Sequence, residues 1–373
     1  SGGTHQLTVN QRPLNATLAR QYDGTTTAAG SDLSSFDALQ GGETLTMTGS
    51  GTAASANVAN GIAMSSNGTL ALADGTGLAS NYSLNSTVIN IAQRVLNSSG
   101  SKTYDANTDA LAGAITLSNL VSGEALNHSG TATIGSANAG SYTITNLAGI
   151  TIADGSGGSA SNYTLTGGTH NFTVDRRAVS VSGTRLYDAT TNAVASDLST
   201  HANLVGSETL NLSGTGTIAS KNVGSNKTVS VGTLALADGS NGGLAANYTL
   251  SGGTHQLTVN KAPISLTGSR QYDGTKDVRN SDFSLSGLQG GEDLTTSGLG
   301  SVVSKNVGNG KTVDTSGLTL ENGQTGTAGL ASNYTFSGGT QTFNITERVL
   351  NMSASRDYNT LKTVSSGIIT LSN

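Results

Sequence analysis

Repeated carboxylates are the residues of this sequence best suited to chemistry. Asp23, Glu43 and Asp74 have counterparts at similar spacing further along the chain. Two carboxylates on either side of a glycosidic bond can hydrolyse it, one as the acid and the other as nucleophile or base. Catalysis, however, concentrates in one preorganised cleft, whereas near-copies of a polar turn indicate shared architecture. We therefore predict that the chain is not an enzyme and has no catalytic residues.

Acidic turns could instead bind calcium. Asp74, Asp154 and Asp238 each stand between Ala and Gly, and Glu321 opens the corresponding turn of the last full repeat. A calcium loop needs several oxygen ligands at fixed spacing, but each of these turns supplies one carboxylate and then a variable run of Gly, Ser and Thr. The pattern favours hairpin turns, with calcium as the open alternative, and we predict no metal site and no cofactor.

Histidine is the other candidate ligand. His5, His170 and His255 occupy one position in a repeated Gly-Gly-Thr-His segment, and Gln341 takes that position in the last full repeat. Each occurs once per repeat without a second ligand beside it, unlike a zinc motif. We interpret these histidines as surface residues of a strand.

Composition narrows the class of protein. Of 373 residues, 35% are hydrophobic, 51 are glycine and none is cysteine, so disulfides and thiolate metal sites are excluded. A net charge of −5 without a Lys/Arg cluster argues against nucleic acid as a partner, and no apolar run is long enough to span a membrane. Alternating Val, Ile, Leu and Thr between Gly, Asn and Asp clusters predicts short strands with almost no helix.

A tyrosine followed by aspartate recurs at regular intervals. The tripeptide has four full copies and one weaker copy: Tyr22-Asp23-Gly24, Tyr104-Asp105-Ala106, Tyr187-Asp188-Ala189, Tyr272-Asp273-Gly274 and Tyr358-Asn359-Thr360. Successive copies are 82, 83, 85 and 86 residues apart. We expect the tyrosine to end a strand and cap a small core, and the next two residues to form a turn. Because alanine replaces glycine at Ala106 and Ala189, we expect that this turn does not always need a positive φ.

Two further landmarks keep the same period. Asn-Tyr pairs occur at Asn81-Tyr82, Asn162-Tyr163, Asn247-Tyr248 and Asn333-Tyr334. A leucine followed by a Gly-rich acidic turn occurs at Leu39/Glu43, Leu120/Glu124, Leu204/Glu208 and Leu288/Glu292. Since only 4% of residues are aromatic, we predict that the eight tyrosines of the Tyr-Asp and Asn-Tyr ladders are mostly buried.

These ladders divide the chain into modules. We assign residues 1–10 to the closing strand of a preceding repeat, 11–92 to module one, 93–175 to module two, 176–260 to module three, 261–346 to module four, and 347–373 to the start of a further repeat. The predicted fold is all-β: a tandem array of β-sandwich or β-grasp-like modules of about 80 residues that forms an elongated rod. A β-solenoid is the alternative, because Gly-rich strands resemble solenoid rungs. Residues 1–10 are identical to 251–260, so we expect a segment of a longer array.

The motifs together resemble a known repeat family. Besides Tyr-Asp-Gly and Asn-Tyr-Thr, the chain has Asn-x-Gly turns at Asn138-Ala139-Gly140, Asn222-Val223-Gly224 and Asn306-Val307-Gly308. This combination resembles the YDG-type repeats, and the related MBG repeats, of large bacterial surface proteins. The sequence departs from the pattern at Asn57-Val58-Ala59 and at Asn359. The resemblance implies a filamentous-haemagglutinin-like adhesin, exported by two-partner secretion to the bacterial cell surface.

Two classes of function follow from these observations. The leading hypothesis is a structural shaft or fibre segment of a secreted adhesin that supports cell adhesion or biofilm, whose partners are the neighbouring repeats of its own chain. The alternatives are a self-assembling extracellular filament or sheath of like chains, and an array of weak sites for glycans or matrix that gains affinity from number.

Asn-x-Ser/Thr sites are also frequent. They include Asn15, Asn67, Asn81, Asn97, Asn162, Asn247 and Asn333. Such sites accept glycans in some secreted adhesins of the resembled class, but a chain this rich in Asn, Ser and Thr generates them by chance, which is the interpretation we favour.

Overall fold

The computed structural model describes residues 2–373, and its fold is all-β. Its regular structure consists of strands and short 3-10 turns, and residues 2–373 contain no α-helix. Accordingly, that part of the chain has no helix long and apolar enough to cross a membrane. The predicted fold class is confirmed as a tandem array of β-modules, while the elongated rod stays a prediction.

The chain forms two compact units, one that ends at Arg177 and one that begins at Ala178. The first unit holds modules one and two. The second holds module three from Ala178 onward, module four and the segment after them. Each unit therefore contains one complete boundary between consecutive modules.

Modules one and two are built from short strands. Module one contains Arg12–Gln21 (β1), Thr27–Ala29 (β2), Leu33–Phe36 (β3), Leu45–Thr48 (β4), Ser50–Ala53 (β5), Ala59–Ser66 (β6), Ala71–Asp74 (β7) and Tyr82–Ala92 (β8). Module two contains Arg94–Val95 (β9), Asn97–Thr103 (β10), Asp109–Leu111 (β11), Ile115–Ser118 (β12), Leu126–Ile134 (β13), Gly140–Asn146 (β14), Ile150–Asp154 (β15), Tyr163–Thr164 (β16) and His170–Asp175 (β17).

The second half of the chain repeats this order. Module three contains Arg177–Ala178 (β18), Ser180–Leu186 (β19), Asn192–Val194 (β20), Thr200–Ala202 (β21), Leu210–Ser213 (β22), Thr215–Ile218 (β23), Gly224–Ser230 (β24), Ala235–Asp238 (β25), Tyr248–Thr249 (β26) and His255–Asn260 (β27). Module four contains Ala262–Pro263 (β28), Ser265–Gln271 (β29), Asp277–Val278 (β30), Phe283–Ser286 (β31), Leu294–Gly298 (β32), Gly300–Val302 (β33), Gly308–Asp314 (β34), Leu318–Asn322 (β35), Tyr334–Thr335 (β36) and Gln341–Thr346 (β37). A hairpin of Asn351–Ala354 (β38) and Ile369–Ser372 (β39) follows.

Short 3-10 turns connect several of these strands. They lie at Gly30–Asp32, Ala79–Asn81, Ala112–Ala114, Ala160–Asn162, Ala195–Asp197, Ala245–Asn247, Asn280–Asp282, Ala331–Asn333 and Ser366–Ile368.

Each module has its own mixed sheet with the opening and closing strands at its centre. In module one the order is β2-β5-β6-β8-β1-β3, and β1 pairs in parallel with β8 from Arg12↔Tyr82 to Gln21↔Ala92. Modules two, three and four repeat this arrangement with the parallel pairs β10–β17, β19–β27 and β29–β37. Discrete sheets differ from the stacked coils of a solenoid, so the solenoid alternative is wrong.

Alternation along the opening strand places one face in the core. Leu14, Ala16 and Leu18 of β1 are at most 1% exposed, because side chains two residues apart point to the same face of a sheet. The core of the first unit continues past the module boundary, since Leu96 and Tyr163 of module two pack in the same cluster. Modules one and two therefore share apolar contacts as well as a chain connection.

Candidate functional site: the junctions between modules

Each Tyr-Asp turn is fixed by its own aspartate. In all four copies the Asp Oδ1 accepts a hydrogen bond from the backbone N–H two residues later, at 2.9–3.1 Å. Burial would raise the pKa of Asp273, but hydrogen bonds from Thr275 and the nearby Arg279 and Arg270 lower it to about 2. Asp273 is therefore an ionised turn anchor, and the other three aspartates anchor their turns through the same hydrogen bond.

The expectation about φ in this turn is wrong. Ala106 and Ala189 have φ of +64° and +63°, close to the +77° of Gly24 and the +81° of Gly274. The aspartate hydrogen bond fixes the turn geometry, so alanine adopts the left-handed conformation despite its Cβ.

A basic residue three positions before each aspartate was missed in the sequence. Lys102 Nζ lies 2.8 Å from Asp105 Oδ1, and the same ion pair is made by Arg20 with Asp23, by Arg185 with Asp188 and by Arg270 with Asp273. A basic residue two before each repeated tyrosine was the available signal, and Arg356 continues it before Tyr358.

In space, the tyrosine of each Tyr-Asp pair lies at the end of its module where the closing strand ends. Its backbone N–H donates to the carbonyl of the last closing-strand residue, as in Tyr22 N to Ala92 O at 2.9 Å and Tyr187 N to Asn260 O at 2.8 Å. Since the opening and closing strands are parallel, this is the end where the chain leaves for the next module. The ring is therefore placed at a module boundary.

The Asn-Tyr pair lies at the opposite, amino-terminal end. Asn81, Asn162, Asn247 and Asn333 each end a 3-10 turn. The acidic turns hold it in place, because Asp74, Asp154 and Asp238 each accept a 2.7 Å hydrogen bond from the first N–H of this 3-10 turn. Asn322 takes the same role in module four, at 2.9 Å. These carboxylates are turn anchors.

Junction one joins modules one and two and consists of Tyr22, Asn57, Glu124, Asn162 and Tyr163. Tyr22 Oη donates to Glu124 Oε1, and Tyr163 Oη donates to Glu124 Oε2, each at 2.6 Å. The two rings meet edge to face with centroids 5.4 Å apart. Beside them, Asn162 Nδ2 donates to Asn57 Oδ1 at 3.0 Å, and Asn162 Oδ1 accepts from Val58 N at 2.9 Å.

Junction two joins modules three and four with the same residue types: Tyr187, Asn222, Glu292, Asn333 and Tyr334. Tyr187 Oη and Tyr334 Oη donate to the two oxygens of Glu292 at 2.6 and 2.7 Å, and their rings are again 5.4 Å apart. The Asn333 Nδ2–Asn222 Oδ1 distance is 3.0 Å, and Val223 N donates to Asn333 Oδ1 at 2.9 Å. Three separate sequence ladders thus converge on one interface.

Burial and hydrogen bonding define the electrostatics of the junctions. Burial and the hydrogen bond to Glu124 raise the pKa of Tyr163 to about 12, so its phenol stays protonated. Burial alone would raise the pKa of Glu292, but hydrogen bonds from Lys221, Tyr187 and Tyr334 outweigh it and lower that pKa. Junction two is therefore an ionised carboxylate held between two neutral phenols.

This geometry joins modules. Both oxygens of each junction carboxylate accept hydrogen bonds from the chain itself, and the tyrosines are almost fully buried. The buried rings supply apolar area, and the charge-assisted hydrogen bonds fix orientation.

The structure confirms most of the predicted tyrosine burial. Seven of the eight are at most 5% exposed: Tyr22, Tyr82, Tyr104, Tyr163, Tyr187, Tyr248 and Tyr334. Tyr272 packs against the core of module four but is less deeply buried than the other seven. Its counterparts Tyr22 and Tyr187 owe their burial to the following module, so the ring caps a boundary rather than its own core.

The interpretation of the histidines as strand-surface residues is wrong for His170 and His255, whereas His5 is exposed but lies outside any strand. His170 and His255 are 5% and 6% exposed, and each Nε2 lies 2.8 Å from a carbonyl, of Leu165 or Leu250. Gln341 makes the same contact with Phe336 O at 3.0 Å. These side chains hold the Gly-Gly loop against the closing strand.

Three of the Asn-x-Ser/Thr sites are inaccessible in the folded chain. Asn162, Asn247 and Asn333 are at most 1% exposed. A glycan at these three positions is incompatible with the structure.

Comparison with known proteins identifies the repeats. The sequence model described as the YDG domain matches four times, at residues 6–89, 92–171, 173–256 and 254–342. No curated protein matches the chain. The four matches together cover nearly the whole sequence.

Proposed function

The chain belongs to the YDG domain family, and from its four tandem domains we propose that it is a load-bearing shaft segment of a bacterial surface adhesin. The observation that carries this proposal is the parallel pairing of opening and closing strands in every module. The chain enters a module at one end of this pair and leaves at the other. Tension along the chain therefore loads the evenly spaced inter-strand hydrogen bonds together, in shear.

The junctions support the same role. The closing strand leads directly into the next module, as at Ala92 and Arg94, without a flexible linker. The Tyr-Glu-Tyr contacts and the shared apolar cluster then restrict bending between modules one and two. A shaft needs this combination of strong modules and stiff boundaries.

The cell-surface location rests on the resemblance to repeats of bacterial surface proteins and on the absence of cysteine from the sequence. Export through an outer-membrane pore requires an unfolded chain, which disulfides would hinder. The weak glycan-binding alternative is less well supported, because the chain has no tryptophan and seven of the repeated tyrosines are buried.

A deletion in the bacterium that encodes the chain tests this function. Removing residues 93–260 places Tyr22 of module one before Glu292 and Tyr334 of module four, so the shortened array keeps a matched junction. We expect antibody against the chain to label the cell surface in both strains, and attachment to a surface to weaken while binding of free ligand is unchanged. Labelling confined to the cell interior, or loss of ligand binding with the deleted modules, would contradict the proposal.

A further inference from the structure

Module two differs from the other full modules at two positions around its Tyr-Asp turn. Lys102 stands where modules one, three and four have arginine, and Asn107 stands five residues later, where they have threonine. The pairs in the other modules are Arg20 and Thr25, Arg185 and Thr190, and Arg270 and Thr275. Among the four full copies of this turn, a primary amine and a side-chain carboxamide therefore occur together in module two alone.

The lysine amine lies against that carboxamide. Lys102 Nζ is 2.6 Å from Asn107 Oδ1 and 2.8 Å from Asp105 Oδ1. The carboxamide carbon, Cγ, is one bond beyond Oδ1, and the torsion that turns a carboxamide is soft. A rotation of the Asn107 side chain can therefore present Cγ to Nζ.

The neighbours of this pair favour an attack of the amine on the carboxamide. Burial would raise the pKa of Asp105, but hydrogen bonds from Lys102 and Asn107 lower it, so this carboxylate is ionised and can accept a proton. The backbone N–H of Asp109 donates to Asn107 Oδ1 at 3.0 Å, the atom on which negative charge develops during such an attack. The site thus contains a nucleophile, a base and an oxyanion donor, which are the three parts that acyl transfer needs.

The surroundings hold the amine in place. The Lys102 side chain is 13% exposed. Beside it lies a cavity of about 150 Å³ whose lining includes Phe172, which is 1% exposed. An amine fixed beside its target reacts in an intramolecular step instead of a collision in solution. Asn107 is exposed on the outer side, so a small leaving group can escape.

We infer that Lys102 and Asn107 form an amide bond with each other in the folded chain. Asp105 takes a proton from the Lys102 ammonium, and the neutral Nζ attacks Cγ of Asn107. The Nζ–Cγ bond forms and the Cγ–Nδ2 bond breaks. Of the three protons on the ammonium, one stays on the new amide and two leave with Nδ2 as an ammonium ion, one of them by way of Asp105. Nothing is oxidised or reduced, and no co-reactant is needed.

The chemistry fits module two and not its neighbours. Arginine stays protonated and is not a nucleophile, and threonine has no carboxamide. Lys102 pairs with Val174 of the closing strand, so the bond secures the turn beside the strand pair that we propose bears tension. This inference goes beyond the shaft function, because it assigns a covalent modification to one module. It is a single self-modification of each chain and not enzymatic turnover.

The intact mass of the purified 373-residue chain tests the inference. We expect a mass lower than that of the sequence by one molecule of ammonia, and a tryptic peptide in which Lys102 is uncleaved and joined to Asn107. A mass equal to that of the sequence would overturn the inference. Loss of ammonia with normal tryptic cleavage after Lys102 would also overturn it, because a succinimide at an Asn-Gly pair such as Asn67-Gly68 gives that result.

Two variants are matched controls. Lys102→Arg and Asn107→Thr each introduce the residue that the other modules have at that position, so the turn should fold and the mass should equal that of the variant sequence. Asp105→Asn keeps an oxygen that can accept the turn hydrogen bond but removes the base. It should slow the reaction about a hundredfold, so that freshly purified chain keeps its full mass.

An undiminished loss of ammonia in Lys102→Arg, or a cross-link in Asp105→Asn that forms as fast as in wild type, would contradict the roles given to these side chains. None of these measurements puts the chain under tension, so the shaft function is tested separately.

Discussion

Junctions one and two have tyrosines at equivalent positions, but they differ in their charged residues. Glu292 is 8% exposed and has Lys221 at 2.6 Å, whereas Ala56 occupies the lysine position at junction one. Glu124 there is less deeply buried. Burying a carboxylate is costly unless it is paired, so the lysine accompanies the deeper glutamate. The comparison indicates that two phenols and a carboxylate form each junction. The lysine of junction two adjusts the stability of that junction.

Removing a junction ring should have the largest effect. Tyr187→Ala deletes a ring buried between modules and should lower the free energy of unfolding by about 3–5 kcal/mol. Tyr272→Ala deletes the same residue type where it is only partly buried, and should cost about half as much. Urea denaturation of both variants measures the difference, and equal losses would show that the boundary contributes no burial.

Replacing the junction carboxylate should separate the two junctions. Glu292→Gln removes the charge that Lys221 and two phenols contact, so we expect a loss of about 2 kcal/mol. Glu124→Gln leaves no lysine unpaired, and we expect about 1 kcal/mol. The thermal unfolding midpoints of the two variants should rank in this order, and the reverse order would contradict the role given to Lys221.

Stability should fall at low pH because of Glu292 and at high pH because of Tyr163. The pKa of Glu292 is lower in the folded chain, so its contribution is complete above its unfolded pKa of about 4.3 and is lost as the pH falls through the lower folded value. The pKa of Tyr163 is raised to about 12, so its contribution is complete below about pH 10 and is lost as the pH rises through the folded value. Unfolding curves of wild type and Glu292→Gln between pH 2 and 5, roughly the range in which carboxylates titrate, should converge as the pH falls. A gap that stays constant would exclude Glu292 as the titrating group.

Substituting Lys221, or Ala56 at the equivalent position, should have a small effect on stability. Lys221 is 43% exposed, so Lys221→Met should cost less than about 1 kcal/mol and the loss should shrink in high salt. Ala56→Lys, the reciprocal change, should stabilise junction one by a similar amount. A salt-independent change in either variant would indicate altered packing instead.

Substituting the third residue of a Tyr-Asp turn should have the smallest effect on stability. Ala106 is exposed with a positive φ, so Ala106→Gly should stabilise its module by roughly 0.5–1 kcal/mol. Gly274→Ala is the matched reverse, because a Cβ there would meet no atom within 4 Å, and it should lose a similar amount. Equal stability of both variants and wild type would mean that the aspartate alone sets the turn.

The sequence was sufficient to predict the modules, but not the interface between them. Strand alternation at Leu14, Ala16 and Leu18 and the period of the three ladders were sufficient for the all-β tandem fold. From its spacing, each ladder predicts only a local turn or core, because sequence spacing does not show that Tyr22 and Glu124, 102 residues apart, are in contact. Parallel pairing of the first and last strands supplies that information, since it places the two ladders at opposite ends of each module.

The errors at single residues have a similar cause. An alanine at position 106 predicts a turn that does not need a positive φ, but the Asp105 hydrogen bond and the Lys102 ion pair hold the turn in that conformation. His170 was expected on the surface, yet it closes a loop by contacts with Leu165 and Ser98. In both cases a tertiary contact outweighs the local preference of the residue.

Pulling a single 373-residue chain from its two ends with a force probe tests the central claim most directly. If parallel opening and closing strands bear tension, the trace should show separate force peaks, each followed by an extension on the order of 250 Å as one module of about 80 residues unravels. Tyr187→Ala should change the force at which the neighbouring modules unfold, without removing the peaks. A smooth extension at low force, with no peaks at the module length, would contradict the account of this chain as a load-bearing shaft.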